Sequence, residues 1–163
     1  MIRDATETDL SAIVSIYNAA IPGRQATADT HPISVESRWD WFRDHTPNRH
    51  PLWVNEKEGE IIGWLSLQAF YGRPAYAATA EVSLYIHPKH QGKGIGKTLL
   101  RHALQQSPSL GLNTLLAFIF AHNQPSLQLF NRFDFTEWGY LPRIAELDKI
   151  ERDLMILGKR LRF

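Results

Sequence analysis

A glycine-rich segment in the middle of the chain follows a run of alternating apolar residues and precedes a run with helical periodicity. It spans residues 91–97, with glycine at positions 92, 94 and 96 and lysine at positions 93 and 97. The amino terminus of a helix presents unpaired N–H groups and a partial positive charge, and glycine lets a phosphate approach the main chain. The segment therefore predicts a pyrophosphate site. A tight turn without a ligand is the simpler alternative.

Two common nucleotide-binding motifs do not fit this glycine spacing. The P-loop needs four residues between its glycines, but three residues separate Gly92 from Gly96. The dinucleotide fingerprint Gly-x-Gly-x-x-Gly, with an acidic residue about 20 positions later, fails in both spacing and placement. The segment therefore indicates neither a nucleoside triphosphate nor NAD.

An acidic residue, Glu81, interrupts the strand predicted for residues 79–86. Positions 82, 84 and 86 are apolar and share one face of this strand, while Glu81 shares the other face with Ser83 and Tyr85. A carboxylate inside an otherwise apolar strand can act as a general base that takes a proton from a substrate. Glu81 is the candidate for that base. The alternative is an ordinary carboxylate on a solvated strand face.

The spacing Gln91-x-x-Gly94-x-Gly96 resembles the hallmark Gln/Arg-x-x-Gly-x-Gly/Ala of the GNAT family of N-acetyltransferases. Within that family the chain resembles, over almost its whole length, the phosphinothricin and methionine sulfoximine acetyltransferase branch. The matching residues are Arg73-Pro74-Ala75-Tyr76, Thr79, Glu81, residues 84–88 and Asn123-Gln124-Pro125-Ser126, with a fainter match at Thr27, Asp29, Thr30 and Pro32. The resemblance implies transfer of an acetyl group from acetyl-CoA to a primary amine of a small amino-acid-like molecule, by direct attack in a ternary complex.

The resemblance also implies roles for individual residues. Glu81 would be the base, and Arg73 and Tyr76 would bind the substrate, although Arg73 can equally be a surface cation. Asn123 and Ser126 would contact the distal part of CoA, although Asn123 before Pro-Ser also suits a helix cap. The remaining cofactor-binding residues would be Leu84, Tyr85 and Ile86 along the pantetheine arm and Gln91, Gly92, Lys93, Gly94, Ile95, Gly96 and Lys97 around the pyrophosphate.

Two positions depart from the pattern of the family. Phe130 stands where many relatives carry a tyrosine that can protonate the leaving thiolate; Tyr85, Tyr140 or water could replace it, or no acid is needed. Asp134 stands where a glycine is usual, and aspartate tolerates a left-handed conformation. Two other functions stay open: acetylation of a protein amino terminus or a polyamine, and CoA binding without turnover.

The elements that position these residues follow from hydrophobic periodicity and turn signals. The resemblance implies an α/β (α+β) GNAT fold over residues 1–163 as one domain, with a mixed, mainly antiparallel sheet of about six to seven strands and about four helices. The expected order is a short strand, a helix capped at Thr6, a helix capped at Ser34, a hairpin over 52–67, a strand over 79–86, a helix over 95–106, a strand over 115–120, a helix from 123, and extended segments at 135–141 and 153–157.

The composition of the chain argues against several classes of binding partner. The net charge of +1 without a basic stripe argues against nucleic acid, and no segment has the apolar length of a signal peptide or a membrane span. The chain has no cysteine, which excludes disulfides and thiolate chemistry and fits a cytoplasmic location. His87, His90 and His102 have no acidic partner at ligand spacing in the sequence, so we expect no metal. The resemblance further implies a homodimer.

Overall fold

A seven-stranded sheet forms the centre of the chain in a computed structural model that describes residues 1–161. The strands are β1 (Ile2–Asp4), β2 (Leu52–Lys57), β3 (Glu60–Ala69), β4 (Thr79–Ile86), β5 (Thr114–Phe120), β6 (Thr136–Leu147) and β7 (Ile150–Arg160). Their order is β1-β2-β3-β4-β5-β7-β6. The strands β4 and β5 are parallel, and the other neighbouring pairs are antiparallel. The mixed, mainly antiparallel sheet predicted from the sequence is confirmed.

Four α-helices flank the sheet in the described part of the chain: α1 (Leu10–Ala20), α2 (Trp39–Arg43), α3 (Ile95–Gln106) and α4 (Gln124–Arg132). Both predicted caps form. The Thr6 N–H donates to the Asp9 carboxylate at 2.7 Å, and the Ser37 N–H donates to the Ser34 hydroxyl at 3.2 Å. Thr6 is the cap residue of a short 3₁₀ turn that leads into α1, whereas the 3₁₀ turn before α2 has as its cap residue Val35, which directly follows Ser34. None of these helices is long and apolar enough to cross a membrane.

Apolar side chains fill both sides of the sheet. One core lies under α3 and α4 and includes Leu65, Leu67, Val82, Leu99, Leu100, Ala103, Leu115, Ala117, Leu127 and Phe130. The other lies under α1 and α2 and includes Ile13, Ile16, Leu52, Val54 and Trp64. Along β4, Val82 belongs to the first core, and Tyr85 packs against the second. The two faces predicted for this strand are confirmed.

The last two strands are longer than the predicted segments 135–141 and 153–157. They meet at a turn in which Asp148 and Lys149 both have positive φ, at 52° and 65°, without a glycine. The register of β6 against β7 also shifts twice, near residue 138 and between residues 141 and 145. Such bulges interrupt the alternation from which a strand is recognised. Asp134 adopts φ 66°, so the left-handed turn expected there is confirmed.

Candidate active site

The strands β4 and β5 separate at Glu81. They pair only over their first residues, where Thr79, Ala80 and Glu81 face residues 114–116. Beyond that point β4 continues along β3 as far as Ile86, and β5 continues along β7 as far as Phe120. Within residues 1–161 no strand pairs with the β5 side of residues 82–86. A wedge therefore opens beside β4, and its free main-chain groups can pair with an extended ligand.

The glycine-rich segment follows the open end of this wedge. Gly92 and Gly94 have φ of 75° and 81°, and a Cβ on either would meet no atom within 4 Å. Gly94 is the cap residue of α3, and the first helical bond runs from the Thr98 N–H to the Gly94 carbonyl at 3.1 Å. The amides of residues 95–97 precede that bond, and the first turn carries no acidic residue. This is the arrangement of an anion site at a helix amino terminus.

The third glycine of the segment has a packing role. A Cβ on Gly96 would lie 3.1 Å from Leu129 on α4 and 3.7 Å from Leu84 on β4. Glycine at this position therefore lets α3 approach its neighbours closely. Lys93 and Lys97 are both exposed beside it, where they add positive charge.

Glu81 lies at the apex of the wedge, between Gln68 of β3 and Leu116 of β5. Its side chain is half-buried and forms no ion pair or hydrogen bond with a described residue. Burial disfavours the charged form, so the pKa of the Glu81 carboxyl is raised above its usual range. A carboxylate with a raised pKa, at the point where two strands separate, is suited to accept a proton.

A cavity of about 170 Å³ lies beneath α1 and α2, on the face of β4 that carries Glu81, Ser83 and Tyr85. We call it the Arg38 cavity; its lining residues are Ile13, Val14, Tyr17, Ile33, Arg38, Trp41, Trp64, Ser66, Gln68, Ser83 and Tyr85. Of these, the sequence interpretation had named only Tyr85 as a site residue. Arg38 gave no signal, because it lies in a segment without a recognisable motif and far from β4 in sequence.

Residues 24–26 form a strap that bridges the separated strands. Three consecutive carbonyls of the strap accept hydrogen bonds, from His122 Nε2 at 2.8 Å, from the Asn123 side-chain amide at 3.2 Å and from the Tyr85 hydroxyl at 2.9 Å. His122 and Asn123 follow β5, whereas Tyr85 lies on β4. The strap therefore connects the end of β4 with the segment that follows β5. Sequence reasoning missed it because its contacts are made by main-chain carbonyls.

Asn123 acts as a helix cap, as the simpler interpretation predicted. Its side-chain oxygen accepts from the Ser126 N–H at 3.3 Å, and the side chain is largely buried. Its amide also donates to the strap. Contact of Asn123 and Ser126 with CoA stays a prediction, and the Asn123 side chain already uses one donor and one acceptor position.

Arg73 and Tyr76 lie outside the cavity, on the loop before β4. Arg73 is exposed and forms no ion pair with a described residue. Tyr76 packs edge-to-face on Phe70 at 5.3 Å, and Phe70 in turn lies 6.4 Å from Phe118 of β5. The loop therefore stands at the Glu81 end of β4, and contact of Arg73 and Tyr76 with a substrate stays a prediction.

Phe130 is buried in the core, with its ring edge-to-face on Phe135 at 4.9 Å. The two tyrosines that could replace it as a proton donor are already engaged. The Tyr85 hydroxyl donates to the strap, and burial raises its pKa. The Tyr140 hydroxyl donates to Asp153, and this bond raises the pKa of Tyr140. The geometry therefore does not support either tyrosine as an acid.

An acidic partner for two of the histidines does exist in space. Glu60 Oε1 lies 3.6 Å from His87 Nε2 and 3.9 Å from His90 Nε2. The argument from sequence spacing overlooked Glu60, which is brought in by the β2–β3 hairpin. His87 Nδ1 accepts from the Lys89 N–H at 3.1 Å, so in the neutral ring the proton lies on the Nε2 that faces Glu60. His102 is elsewhere, against Trp53.

A parallel pair that splays beside a glycine-rich helix start defines the class of protein, and sequence comparison agrees. A profile of the acetyltransferase (GNAT) family matches residues 12–135. The chain therefore belongs to the acetyltransferase (GNAT) family and is an enzyme of the acetyltransferase class.

Individual relatives indicate which branch of the family the chain is similar to. YwnH of Bacillus subtilis (strain 168), provisionally named a phosphinothricin acetyltransferase, is 52% identical over 161 residues, which cover 98% of each chain. The L-methionine sulfoximine/L-methionine sulfone acetyltransferase of Pseudomonas aeruginosa is 30% identical over 146 residues, covering 89% of this chain and 85% of the relative. A phosphinothricin acetyltransferase from Sinorhizobium meliloti, solved in complex with acetyl-CoA, is 29% identical with a TM-score of 0.92, covering 98% of this chain and 87% of that one. The predicted resemblance is confirmed.

Proposed function

We propose that the chain transfers the acetyl group of acetyl-CoA to the primary amine of a small amino-acid-like molecule, of the phosphinothricin or methionine sulfoximine type. The observation that carries the proposal is the wedge: free main-chain groups of β4 lie between a raised-pKa carboxylate at one end and an anion site at the other. The names of the relatives support the kind of substrate. No metal takes part in the proposed reaction.

In the bound complex the pantetheine arm pairs with the free edge of β4 at residues 84–86, and the pyrophosphate lies on the amides of residues 92–97. The acetyl carbonyl then lies beside β4, where a main-chain N–H can stabilise the developing oxyanion. The amine enters from the face that carries Glu81. Binding both substrates side by side allows direct attack without a covalent enzyme intermediate.

Glu81 accepts the proton of the attacking ammonium in this scheme. An amine whose pKa is about 3 units above the ambient pH costs ~4 kcal/mol to deprotonate, so a positioned base contributes within that limit. The raised pKa of Glu81 brings its basicity closer to that of the amine. The CoA thiolate leaves unprotonated or takes a proton from water, because Phe130 has none to give and the hydroxyls of Tyr85 and Tyr140 are engaged.

Arg73 and Tyr76 bind the α-carboxylate of the acceptor. The guanidinium of Arg73 has no competing ion pair among the described residues, so it is free to form two parallel hydrogen bonds with a carboxylate. A cation at this place disfavours polyamine acceptors. Release of free CoA thiol tests the proposal against its rivals, with amino acids, their sulfoximine and phosphinic analogues, polyamines and peptides as acceptors. Turnover on polyamines or peptides alone would reassign the substrate, and no turnover on any amine would leave a CoA-binding module.

We also propose a homodimer, formed through the last hairpin. Large apolar side chains are exposed there at Trp138, Tyr140, Ile144 and Ile150, an unusual density for a solvated hairpin. Light scattering after gel filtration should give the mass of two chains, and Ile144→Glu should give one. A monomeric native chain at micromolar concentration would contradict this. The cytoplasmic location stays a prediction, which cell fractionation would test.

A further inference from the structure

We propose that the Arg38 cavity is the subsite for the far end of the acceptor, and that it selects a group bearing oxygen atoms, such as a phosphinate, carboxylate or sulfone. This inference rests on the proposed function, because it assumes that the amine of the same acceptor lies near Glu81. Nothing in the roles of Arg73 and Tyr76 requires the cavity, since both lie outside it.

The polar lining of the cavity offers several hydrogen-bond donors. Arg38, Gln68, Ser66 and Ser83 line it, and no carboxylate does. The buried Ser66 hydroxyl has no hydrogen-bond partner among residues 1–161, which is uncommon for a polar group at 0% exposure. The guanidinium only donates, and the two serine hydroxyls and the glutamine amide can donate as well as accept, so an oxygen-rich group finds several donors here and the guanidinium favours a negative one.

Arg38 is held in place while its N–H groups stay available. Its guanidinium lies over the rings of Tyr17 at 5.2 Å and Trp41 at 5.5 Å, and these contacts fix its plane. Its Nη2 forms a long ion pair with Asp29 Oδ2 at 3.7 Å, which is beyond hydrogen-bond range. Asp29 already accepts from the Tyr17 hydroxyl. Within the described chain the Arg38 side chain donates no hydrogen bond, so a ligand oxygen displaces none.

The size and position of the cavity fit the distal part of an amino acid. Its volume of about 170 Å³ is close to that of an engineered cavity of about 150 Å³ that holds benzene, so it accommodates roughly six heavy atoms. Ser83 and Tyr85 continue the face of Glu81 into the cavity, at about 3.3 Å per residue. An acceptor whose amine is near Glu81 and whose carboxylate meets Arg73 can therefore extend its side chain towards Arg38.

Acceptors that differ at their far end test the proposal. For Arg38→Gln, we expect kcat/KM to fall about tenfold or more with phosphinothricin, by a few-fold with methionine sulfone and little with norvaline, because charge-assisted hydrogen bonds are roughly twice as strong as neutral ones. Arg43→Gln is the matched control, since Arg43 also stacks on a tryptophan, at 5.4 Å, but lies outside the cavity. Both variants lose cation–π contacts and can unfold at a slightly lower midpoint, but the rise of the midpoint with acetyl-CoA should match that of the native chain.

Ser66→Ala is a second variant that leaves the fold intact, because removing a buried hydroxyl without a partner is neutral or stabilising. It should lower kcat/KM for phosphinothricin and methionine sulfone but not for norvaline. Equal losses with all three acceptors, or no loss with any, would overturn the proposal for either variant. If the native chain acetylates none of them, the proposed function itself fails, which is a distinguishable result.

Discussion

Gly94 offers a sharp test of the anion site, because the chain contains a matched control. Gly94 has φ 81° and ψ 10°, and Gly111 at the other end of the same helical segment has φ 81° and ψ 13°. A Cβ at either position meets no atom within 4 Å. Replacement by alanine therefore adds the same left-handed strain at both, about 1 to 2 kcal/mol. For a chain of this size that lowers the unfolding midpoint by about 2 to 8 °C.

The two variants should differ in their response to acetyl-CoA. At about 100-fold excess over Kd the ligand stabilises the native chain by ~2.7 kcal/mol, a rise of about 5 to 11 °C. At Gly94 the new methyl group projects into the space assigned to the pyrophosphate, so we expect at least a tenfold loss of affinity. That loss removes about 1.4 kcal/mol, half of the stabilisation at the same ligand concentration.

A thermal-shift titration with acetyl-CoA, supported by calorimetric measurement of Kd, separates strain from binding. Gly111→Ala should keep the native affinity despite its lower midpoint. A native response from Gly94→Ala would refute the assignment of this helix start to the pyrophosphate. An equal loss of affinity in both variants would refute it too, because the effect would then come from strain alone.

Three further changes probe the base, the substrate contact and the fold. Burial raises the pKa of Glu81, so the acid limb of the kcat/KM profile should lie at a pH above the usual pKa range of a glutamate. Glu81→Gln should lower the rate about 100-fold at neutral pH, and this defect should shrink as pH approaches the pKa of the amine. A uniform defect across pH would indicate that Glu81 positions the substrate. Arg73→Lys should lower kcat/KM about tenfold for an amino acid and leave an uncharged amine nearly unchanged, whereas equal harm would make Arg73 structural. The hydrogen bond from Arg3 lowers the pKa of Asp9, so the contribution of Asp9 to stability is present above its unfolded pKa and is lost as pH falls through the lower folded pKa. Asp9→Asn should lower the free energy of unfolding by about 1 to 3 kcal/mol in urea at neutral pH and flatten the acid limb of the stability profile. An unchanged profile would argue against this role of Asp9.

The sequence predicted best where local periodicity and turn chemistry agree. The predicted strand at 79–86 and the predicted helix at 95–106 match the structure at both ends. The apolar period of both is regular, and a glycine or proline lies within two residues of the end of the strand and of both ends of the helix. The last hairpin was underestimated for the opposite reason. Its turn at Asp148 and Lys149 lacks glycine, and its bulges break the alternation.

The residues of the candidate site also differ in how far the sequence predicts them. The glycine-rich segment lies only ten residues after Glu81, so the pattern of one strand followed by one helix start predicts both. The Arg38 cavity, the strap over the wedge and the pairing of Glu60 with two histidines depend on contacts between residues far apart in the chain. No local pattern records such contacts, and main-chain carbonyls such as those of the strap have no residue type to recognise.

The most direct test of the account follows the acetyl group itself. The native chain is mixed with acetyl-CoA labelled in the acetyl carbon and with methionine sulfoximine, and the label is traced in the small molecules and on the protein during a single turnover. Direct attack in a ternary complex predicts that the label moves to the amine of the product and that none is bound covalently to the protein. Label that stays in acetyl-CoA, or that appears on the protein before the product forms, would contradict the account.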